Sequence, residues 1–129
     1  MGDRQLISSG SYLEPIIGFS RAVRVGNIVS VGGTAPIAGG GGTASKGDVY
    51  GQARRCFEII GKALSEAGAG FEDVIRTRVL LTDMALWNDA SKAHAELFST
   101  IRPVTTVMQV VAFVDPDWLI EIEVDAVLG

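Results

Sequence analysis

The last part of the chain, residues 102–129, constrains the fold more than any other stretch. It contains two runs rich in β-branched residues, 104–112 and 118–128, separated by Asp115-Pro116-Asp117. Proline fixes φ and donates no backbone hydrogen bond, so the chain must turn between the two runs. The second run alternates apolar and acidic residues with the period of a strand that buries one side. We therefore predict two C-terminal β-strands, and the apolar side of the second consists of Ile120, Ile122, Val124, Ala126 and Leu128.

Three acidic residues, Glu121, Glu123 and Asp125, lie on the other side of the last predicted strand. An exposed edge strand could carry them in water, whereas a sheet that packs against partner subunits would need cations opposite them. The third predicted strand supplies such cations in Arg76 and Arg78. Opposite charges directly across two strands stabilise their pairing. We therefore expect the two strands to share one charged face, and we expect subunits to bury that face rather than leave it open to solvent.

Apolar periodicity and turn residues predict the rest of the architecture. Pro15 and Gly18 would break any element that precedes the first strand. Residues 38–47 contain four consecutive glycines but no Gly-Lys-Ser or Gly-Lys-Thr, which predicts a flexible loop rather than a phosphate-binding loop. The predicted elements are a loose lead-in over 1–11, strands over 19–25, 28–33 and 74–82, and helices over 48–68 and 85–100.

The order of these elements, ββαβαββ, indicates an α+β fold. It is a two-layer sandwich in which two helices cover one face of a mixed sheet of four to five strands. The length of 129 residues suits a single domain over 1–129. The net charge of −4 does not favour nucleic-acid binding, and the single cysteine suits a reducing compartment. No apolar run approaches the ~20 residues of a membrane-spanning helix, so we predict a cytoplasmic protein without nucleic-acid or membrane partners.

Both predicted helices carry an apolar stripe at three- and four-residue spacings. Asp48 is the expected N-cap of the first helix. The stripe of the first helix consists of Ala53, Cys56, Phe57, Ile60, Ala63, Leu64 and Ala67, and that of the second of Trp87, Ala90, His94, Leu97, Phe98 and Ile101. The side of the third strand expected to face these helices consists of Ile75, Thr77, Val79 and Leu81.

Two residues of these stripes could also carry chemistry. Cys56 lies within the apolar stripe, so we predict a buried structural thiol rather than a nucleophile. His94 is the only histidine, which excludes a histidine-pair metal motif within the chain. It is either a packed, hydrogen-bonded group or a proton-transfer group. We predict no metal site and no cofactor.

The order and spacing of several short motifs resemble one protein family. The sequence Arg-Pro-x-Thr-Thr-Val at 102–107, followed by Ile-Glu-Ile-Glu at 120–123, resembles the C-terminal signature of the RidA (YjgF-type) family of reactive-intermediate deaminases. The resemblance extends from about residue 7 to the end of the chain. Further similar segments lie at 18–23, 26–27, 31–35 and 73–79.

The resemblance implies an assembly, a site and a reaction. RidA-like proteins pack three sheets around a threefold axis, and their ligand clefts lie between adjacent subunits, so a homotrimer with a small-molecule ligand is implied. Deaminases of the family hydrolyse enamines and imines to a 2-keto acid and ammonia. Their arginine two residues after the proline binds the substrate carboxylate. This chain has Thr105 at that position, which implies a divergent subgroup that lacks the usual cation.

The other site positions of the family carry over unevenly. Glu121 matches the acidic residue that holds the attacking water and is the candidate catalytic residue. Phe19 replaces a tyrosine of the cleft and Ser91 replaces an asparagine. The turn at Gly32-Gly33-Thr34 matches a Ser-Gly turn whose backbone amides line the cleft. The candidate substrate-binding residues are Phe19, Gly33, Thr34, Ser91, Thr105 and Arg78.

Three hypotheses about function follow. The first is a RidA-like trimer whose intersubunit cleft binds a small molecule, with a carboxylate among the candidates and with little or no deaminase activity. The second is an enamine and imine deaminase in which Arg78 or Arg21 replaces the missing arginine, which predicts a guanidinium within hydrogen-bonding distance of the Thr105 hydroxyl. The third is a non-enzymatic interaction protein, which predicts a sealed cleft.

Overall fold

A computed structural model describes residues 3–129, and its six strands form one mixed sheet. The strands are β1 (Arg4–Ile7), β2 (Ala22–Val25), β3 (Ile28–Thr34), β4 (Val74–Leu81), β5 (Val104–Gln109) and β6 (Ile120–Val127). The helices are α1 (Leu13–Ile17), α2 (Val49–Glu66) and α3 (Trp87–Phe98), with short 3-10 turns at Phe71–Asp73 and Met84–Leu86. The sheet order is β1-β2-β3-β6-β4-β5, and only β4 and β5 pair in parallel.

The predicted α+β class and mixed sheet are confirmed, with more elements near the N-terminus than expected. The lead-in was predicted to be loose, but β1 within it pairs antiparallel with β2 and buries Ile7. Pro15 was expected to break any element, yet it lies in the first turn of α1, where a backbone N–H has no helical partner to lose. Gly18 ends that helix in the left-handed conformation at φ 88°. The sheet therefore has six strands instead of four to five.

The central strands β4 and β6 carry the predicted facing charges. Their register places Arg78 opposite Glu123 and Arg76 opposite Asp125. One terminal nitrogen of Arg78, Nη1, lies 3.0 Å from a Glu123 carboxylate oxygen and 3.6 Å from an Asp125 oxygen. The Arg78 and Glu123 side chains remain about a third exposed within one chain, so solvent screens the pair and it contributes at most about 1 kcal/mol there.

Strand β4 does not keep a strict alternation along its whole length. Ile75 was predicted to face the helices, but its side chain is 53% exposed. The register with β6 shifts between Val74 and Arg76, which is the mark of a β-bulge. The extra residue turns Ile75 outward and lets Val74 point inward instead. Beyond the bulge, Thr77, Val79 and Leu81 are buried as predicted.

The helices pack on the sheet through most of the predicted stripe residues. All seven stripe residues of α2 are buried, and the Asp48 side chain caps the helix by accepting a hydrogen bond from the Gly51 amide. In α3, Ala90 and Phe98 are buried. Trp87 is 50% exposed because it is the first residue of the helix, directly after a 3-10 turn. No helix within residues 3–129 has the length and apolarity to span a bilayer.

Candidate functional site

A cavity of about 430 Å³ opens beside the end of β3 and gathers four of the seven predicted site residues. It lies among α1, the segment before β2, the glycine-rich loop after β3, and residues near the start of β6. Phe19, Gly33, Thr34 and Glu121 all line it. Strand β2 begins three residues later than predicted, so Phe19 lies in the connection between α1 and β2. The cavity is thus built mainly from turns and loops that the sheet holds in place.

The close approach of Glu121 to Gly33 defines one wall of this cavity. A Cβ atom at Gly33 would lie only 2.7 Å from the Glu121 Oε1 oxygen, so the position requires glycine while the carboxylate stays where it is. The register of β3 and β6 shifts between Val31 and Thr34, which is where this contact occurs. Burial raises the pKa of Glu121, and the Arg21 guanidinium opposes that rise. Among residues 3–129, no protein donor hydrogen-bonds to the Glu121 carboxylate, which leaves its oxygens available to water or a ligand.

Arg21 holds the turn at the end of β3 from inside the cavity wall. Its side chain is 5% exposed, and Nη1 donates to the Gly33 carbonyl at 2.6 Å and to the Thr34 hydroxyl at 2.9 Å. Its guanidinium carbon lies 5.2 Å from the centroid of the Phe19 ring. Burial lowers the pKa of Arg21, while Glu14 and Glu121 offset the effect. These contacts make Arg21 a clamp that orders Phe19 and the β3 turn around the carboxylate.

Two further residues of the cavity wall were not among the sequence predictions. Arg55, on α2, lines the cavity and donates from Nε to the Ile37 carbonyl at 2.6 Å. Trp118 also lines it and is 3% exposed, and its buried indole N–H has no partner within the described chain. The sequence signals for these two lining residues were weak. Arg55 is a charged residue directly beside the apolar stripe of α2, and Trp118 is a tryptophan just before the last strand. Neither signal says that the glycine-rich loop folds over that end of α2.

Ser91 and Thr105 lie in a second, much smaller cavity of about 60 Å³. Its lining residues are Val79, Ser91, His94, Thr105 and Val107. The Thr105 hydroxyl is 2.8 Å from the Thr77 hydroxyl and 3.4 Å from Nε2 of His94. No described residue lines both cavities, so one chain divides the predicted site residues between two places.

Arg78 lines neither of these two cavities, because it is held by acidic residues of β6. The hydrogen-bond partners of the Thr105 hydroxyl within residues 3–129 are Thr77, His94 and the Pro103 carbonyl. No guanidinium is among them. A substitute arginine next to Thr105, which the deaminase hypothesis predicted, is therefore not present within one chain.

His94 is packed and hydrogen-bonded, as one of its two predicted roles requires. Its Nε2 lies 2.8 Å from the Thr77 hydroxyl, and its ring centroid is 4.7 Å from that of Phe98. Burial lowers the pKa of His94. Cys56 is fully buried and its pKa is raised by burial, which disfavours the thiolate that a nucleophile needs. Within the described part of the chain, no group of three or more potential metal ligands is present.

Comparison with known proteins gives the family. The family model described as Endoribonuclease L-PSP matches residues 9–128. An uncharacterized protein of Streptomyces coelicolor is 41% identical over 95% of this chain and 91% of its own length. The 3-aminoacrylate deaminase RutC of Acinetobacter baylyi is 34% identical over 84% of this chain and 85% of its own. The crystal structure of Rv2704 from Mycobacterium tuberculosis, a YjgF/YER057c/UK114 family member, is 41% identical with a TM-score of 0.88, covering 98% of this chain and all of that one. The matched length, the identities and the shared fold place this chain in the RidA (YjgF-type) family.

Proposed function

We propose that the protein is a homotrimer that binds a small molecule in clefts between adjacent subunits. The observation that carries this proposal is the division of the predicted site residues between two cavities of one chain. Glu121 and Phe19 line the large cavity, while Thr105 and Ser91 line the small one. A cleft that joins the large cavity of one subunit to the small cavity of the next would reunite them.

The surface around β5 supports an assembly of this kind. All six residues of β5 are exposed, and its outer edge pairs with no other strand among the described residues. Val104 is 59% and Val107 38% exposed, and the segment that follows exposes Val111 completely. Unpaired edges and apolar patches are features that proteins normally cover. Neighbouring subunits would cover this edge in the proposed trimer.

The assembly is tested by sedimentation of the wild type and of a charged variant at this edge. Val107→Asp should shift the trimer to monomer at micromolar concentration, because burying an unpaired carboxylate costs several kcal/mol. Ser65→Asp is the matched control, since Ser65 lies on the exposed side of α2 away from the sheet. It adds the same charge and should leave the trimer intact. A stable wild-type monomer, or equal behaviour of the two variants, would exclude the proposed interface.

Deaminase activity toward aminoacrylate-type substrates should be weak or absent. A substrate carboxylate at the Thr105 position meets neutral hydroxyls and an imidazole, with no cation within hydrogen-bonding distance in one chain. Losing one charge-assisted contact costs roughly 2–4 kcal/mol, which is about thirty- to a thousandfold in rate. Ammonia release from freshly generated aminoacrylate measures this directly. Turnover near that of the RutC relative would refute the expectation.

A deaminase remains the second candidate function because of one feature of the large cavity. There, the Glu121 carboxylate accepts no hydrogen bond from residues 3–129, and its pKa is raised by burial. Such a group can hold and activate water. Arg55 lines the same cavity and could receive a carboxylate from the other side. If ammonia release is found, Arg55→Gln should reduce it. Arg54→Gln is the control and should not, because Arg54 is the preceding residue of α2, is exposed and does not line the cavity.

Two other functions receive less support. The interaction-protein hypothesis predicted a sealed cleft, and an open cavity of about 430 Å³ does not favour it. The name of the matching family model refers to a ribonuclease. The net charge of −4 does not favour binding to an RNA backbone, so RNA cleavage is not part of the proposal.

A further inference from the structure

One polar side chain of α2 is buried although it lies outside the apolar stripe of that helix. Gln52 is 0% exposed, and its amide carries donors and an acceptor that need partners. Its Oε1 oxygen accepts a hydrogen bond from the Leu119 backbone N–H at 2.8 Å, and its Nε2 donates to the Asp117 carbonyl at 3.0 Å. Nε2 also donates a longer bond, of 3.4 Å, to the Ser45 carbonyl. The amide therefore joins α2 to two other segments, the turn before β6 and the end of the glycine-rich loop.

Trp118 lies between the two backbone groups that Gln52 holds. Its own backbone N–H donates to the Asp115 carbonyl at 3.1 Å, which closes the turn before β6. The Leu119 carbonyl accepts from the Thr82 N–H, also at 3.1 Å, next to the end of β4. The Trp118 side chain is 3% exposed and lines the large cavity. Gln52 thus fixes the backbone on both sides of a residue of the cavity wall.

The same anchor acts on the start of β6. The strand begins at Ile120, directly after the Leu119 N–H that is bonded to Gln52, and Glu121 follows. Only two residues, at roughly 3.3 Å each, separate the anchored N–H from Glu121, so the anchor limits where the carboxylate can lie. That position is critical, because the carboxylate lies so close to Gly33 that a Cβ there would be 2.7 Å from Glu121 Oε1.

We propose that Gln52 is a positioning residue of the large cavity, and that its amide holds Trp118 and Glu121 where they form the cavity wall. Gln52 does not itself line the cavity, so it acts through these two residues rather than by touching a ligand. The same helix also holds the glycine-rich loop, because Arg55, three residues further along α2, donates to the Ile37 carbonyl at 2.6 Å. The inference concerns the cavity itself and is independent of the proposed trimer and its ligand.

The chemistry of this side chain allows a test that separates positioning from stabilisation. In Gln52→Glu, the protonated carboxyl group keeps an acceptor for the Leu119 N–H and an O–H donor for the Asp117 carbonyl. The ionised group has no proton to donate and places negative charge against that carbonyl. Burial favours the protonated form, so the pKa of the introduced carboxyl should lie above the ordinary value for glutamate. Gln52→Glu should therefore resemble the wild type at low pH and a variant without the Asp117 bond at neutral pH.

NMR signals of Trp118 and Glu121 report the position of the cavity wall. The chain has two tryptophans, so Trp87→Phe leaves the indole N–H signal of Trp118 alone in the spectrum. In that background Gln52→Met, which keeps the side-chain length and removes both bonds, should displace the Trp118 and Glu121 signals at every pH. The Leu119 amide should then exchange with deuterium about tenfold faster. Gln52→Glu should displace both signals at neutral pH and return them to the wild-type positions, measured at the same pH, as the introduced carboxyl is protonated.

The matched control is Gln5→Met. Gln5 donates a side-chain hydrogen bond of the same 3.0 Å length to the Glu66 carbonyl at the other end of α2, so its loss should leave both signals in place. Wild-type signals in folded Gln52→Met, equal displacement in the control, or no pH response in Gln52→Glu would overturn the inference. If Gln52→Met does not fold, the pH response of Gln52→Glu decides alone. Unfolding of both Gln52 variants at neutral pH also overturns it, because the residue then holds the fold rather than the cavity wall.

Discussion

Adding one methyl group at Gly33 should displace the Glu121 carboxylate while leaving the fold in place. The added Cβ would lie 2.7 Å from Glu121 Oε1, whereas a Cβ at the preceding Gly32 would meet nothing closer than the Arg21 carbonyl at 3.9 Å. Neither glycine has a backbone conformation in the left-handed region, so alanine is not strained by φ at either position. Gly33→Ala and Gly32→Ala are therefore a matched pair that differ in one contact.

The size of the effect follows from this contact. The Glu121 oxygen must retreat by about 0.7 Å to reach an ordinary van der Waals separation of 3.4 Å. A glutamate side chain can rotate, so we expect Gly33→Ala to cost only about 1 kcal/mol of the free energy of unfolding. Gly32→Ala should be neutral or stabilising by roughly 0.4–1 kcal/mol, because alanine restricts the unfolded chain. The main consequence is a moved carboxylate rather than an unfolded protein.

Carbon-13 NMR of the glutamate carboxyl groups measures that movement. Burial raises the pKa of Glu121 in the wild type. In Gly33→Ala the carboxylate moves toward the open cavity and gains water, so its pKa should fall toward the ordinary value. Gly32→Ala should retain the raised pKa, and thermal unfolding should show both variants folded. Equal Glu121 pKa values in the two variants would refute the idea that Gly33 sets the position of the carboxylate.

The remaining predictions concern the small cavity, the histidine and the charged face. Thr105→Arg should raise ammonia release from aminoacrylate by about thirty- to a thousandfold. No gain in a correctly folded trimer would contradict the idea that Thr105, in place of an arginine, is what weakens deaminase activity. Because the pKa of His94 is lowered on folding, its stabilising contribution is complete above the unfolded value near 6.5 and is lost as the pH falls below it. Chemical denaturation from pH 7.5 to 5 should show a smaller loss of stability in His94→Gln than in the wild type. Arg78→Ala should cost at most about 1 kcal/mol in a dissociated subunit but several times more in trimer dissociation, as measured by sedimentation; equal effects would place the ion pair outside the interface.

Local periodicity was sufficient to predict the elements whose side chains alternate between core and solvent. The strict alternation of β6 gave its buried residues, and the stripe of α2 predicted every residue that this helix buries against the sheet except Val49 and Gln52. The opposite charges of β4 and β6 predicted that these strands pair. These properties are readable because they depend on which side of one element a residue lies, and that is a property of neighbours in sequence.

Tertiary structure decided the features that depend on contacts between distant segments. Strand β1 forms because it pairs with the edge of β2. Ile75 points outward because a bulge in β4 shifts its register with β6. The glycine-rich loop and α2 bring Arg55 to the cavity, and its position beside the apolar stripe of α2 does not by itself predict this. Family resemblance predicted Phe19, Glu121 and Thr105 as site residues from the sequence. The structure shows that they lie in two separate cavities of one chain. Distances between segments depend on the packing of the whole sheet, which the period of a single segment does not encode.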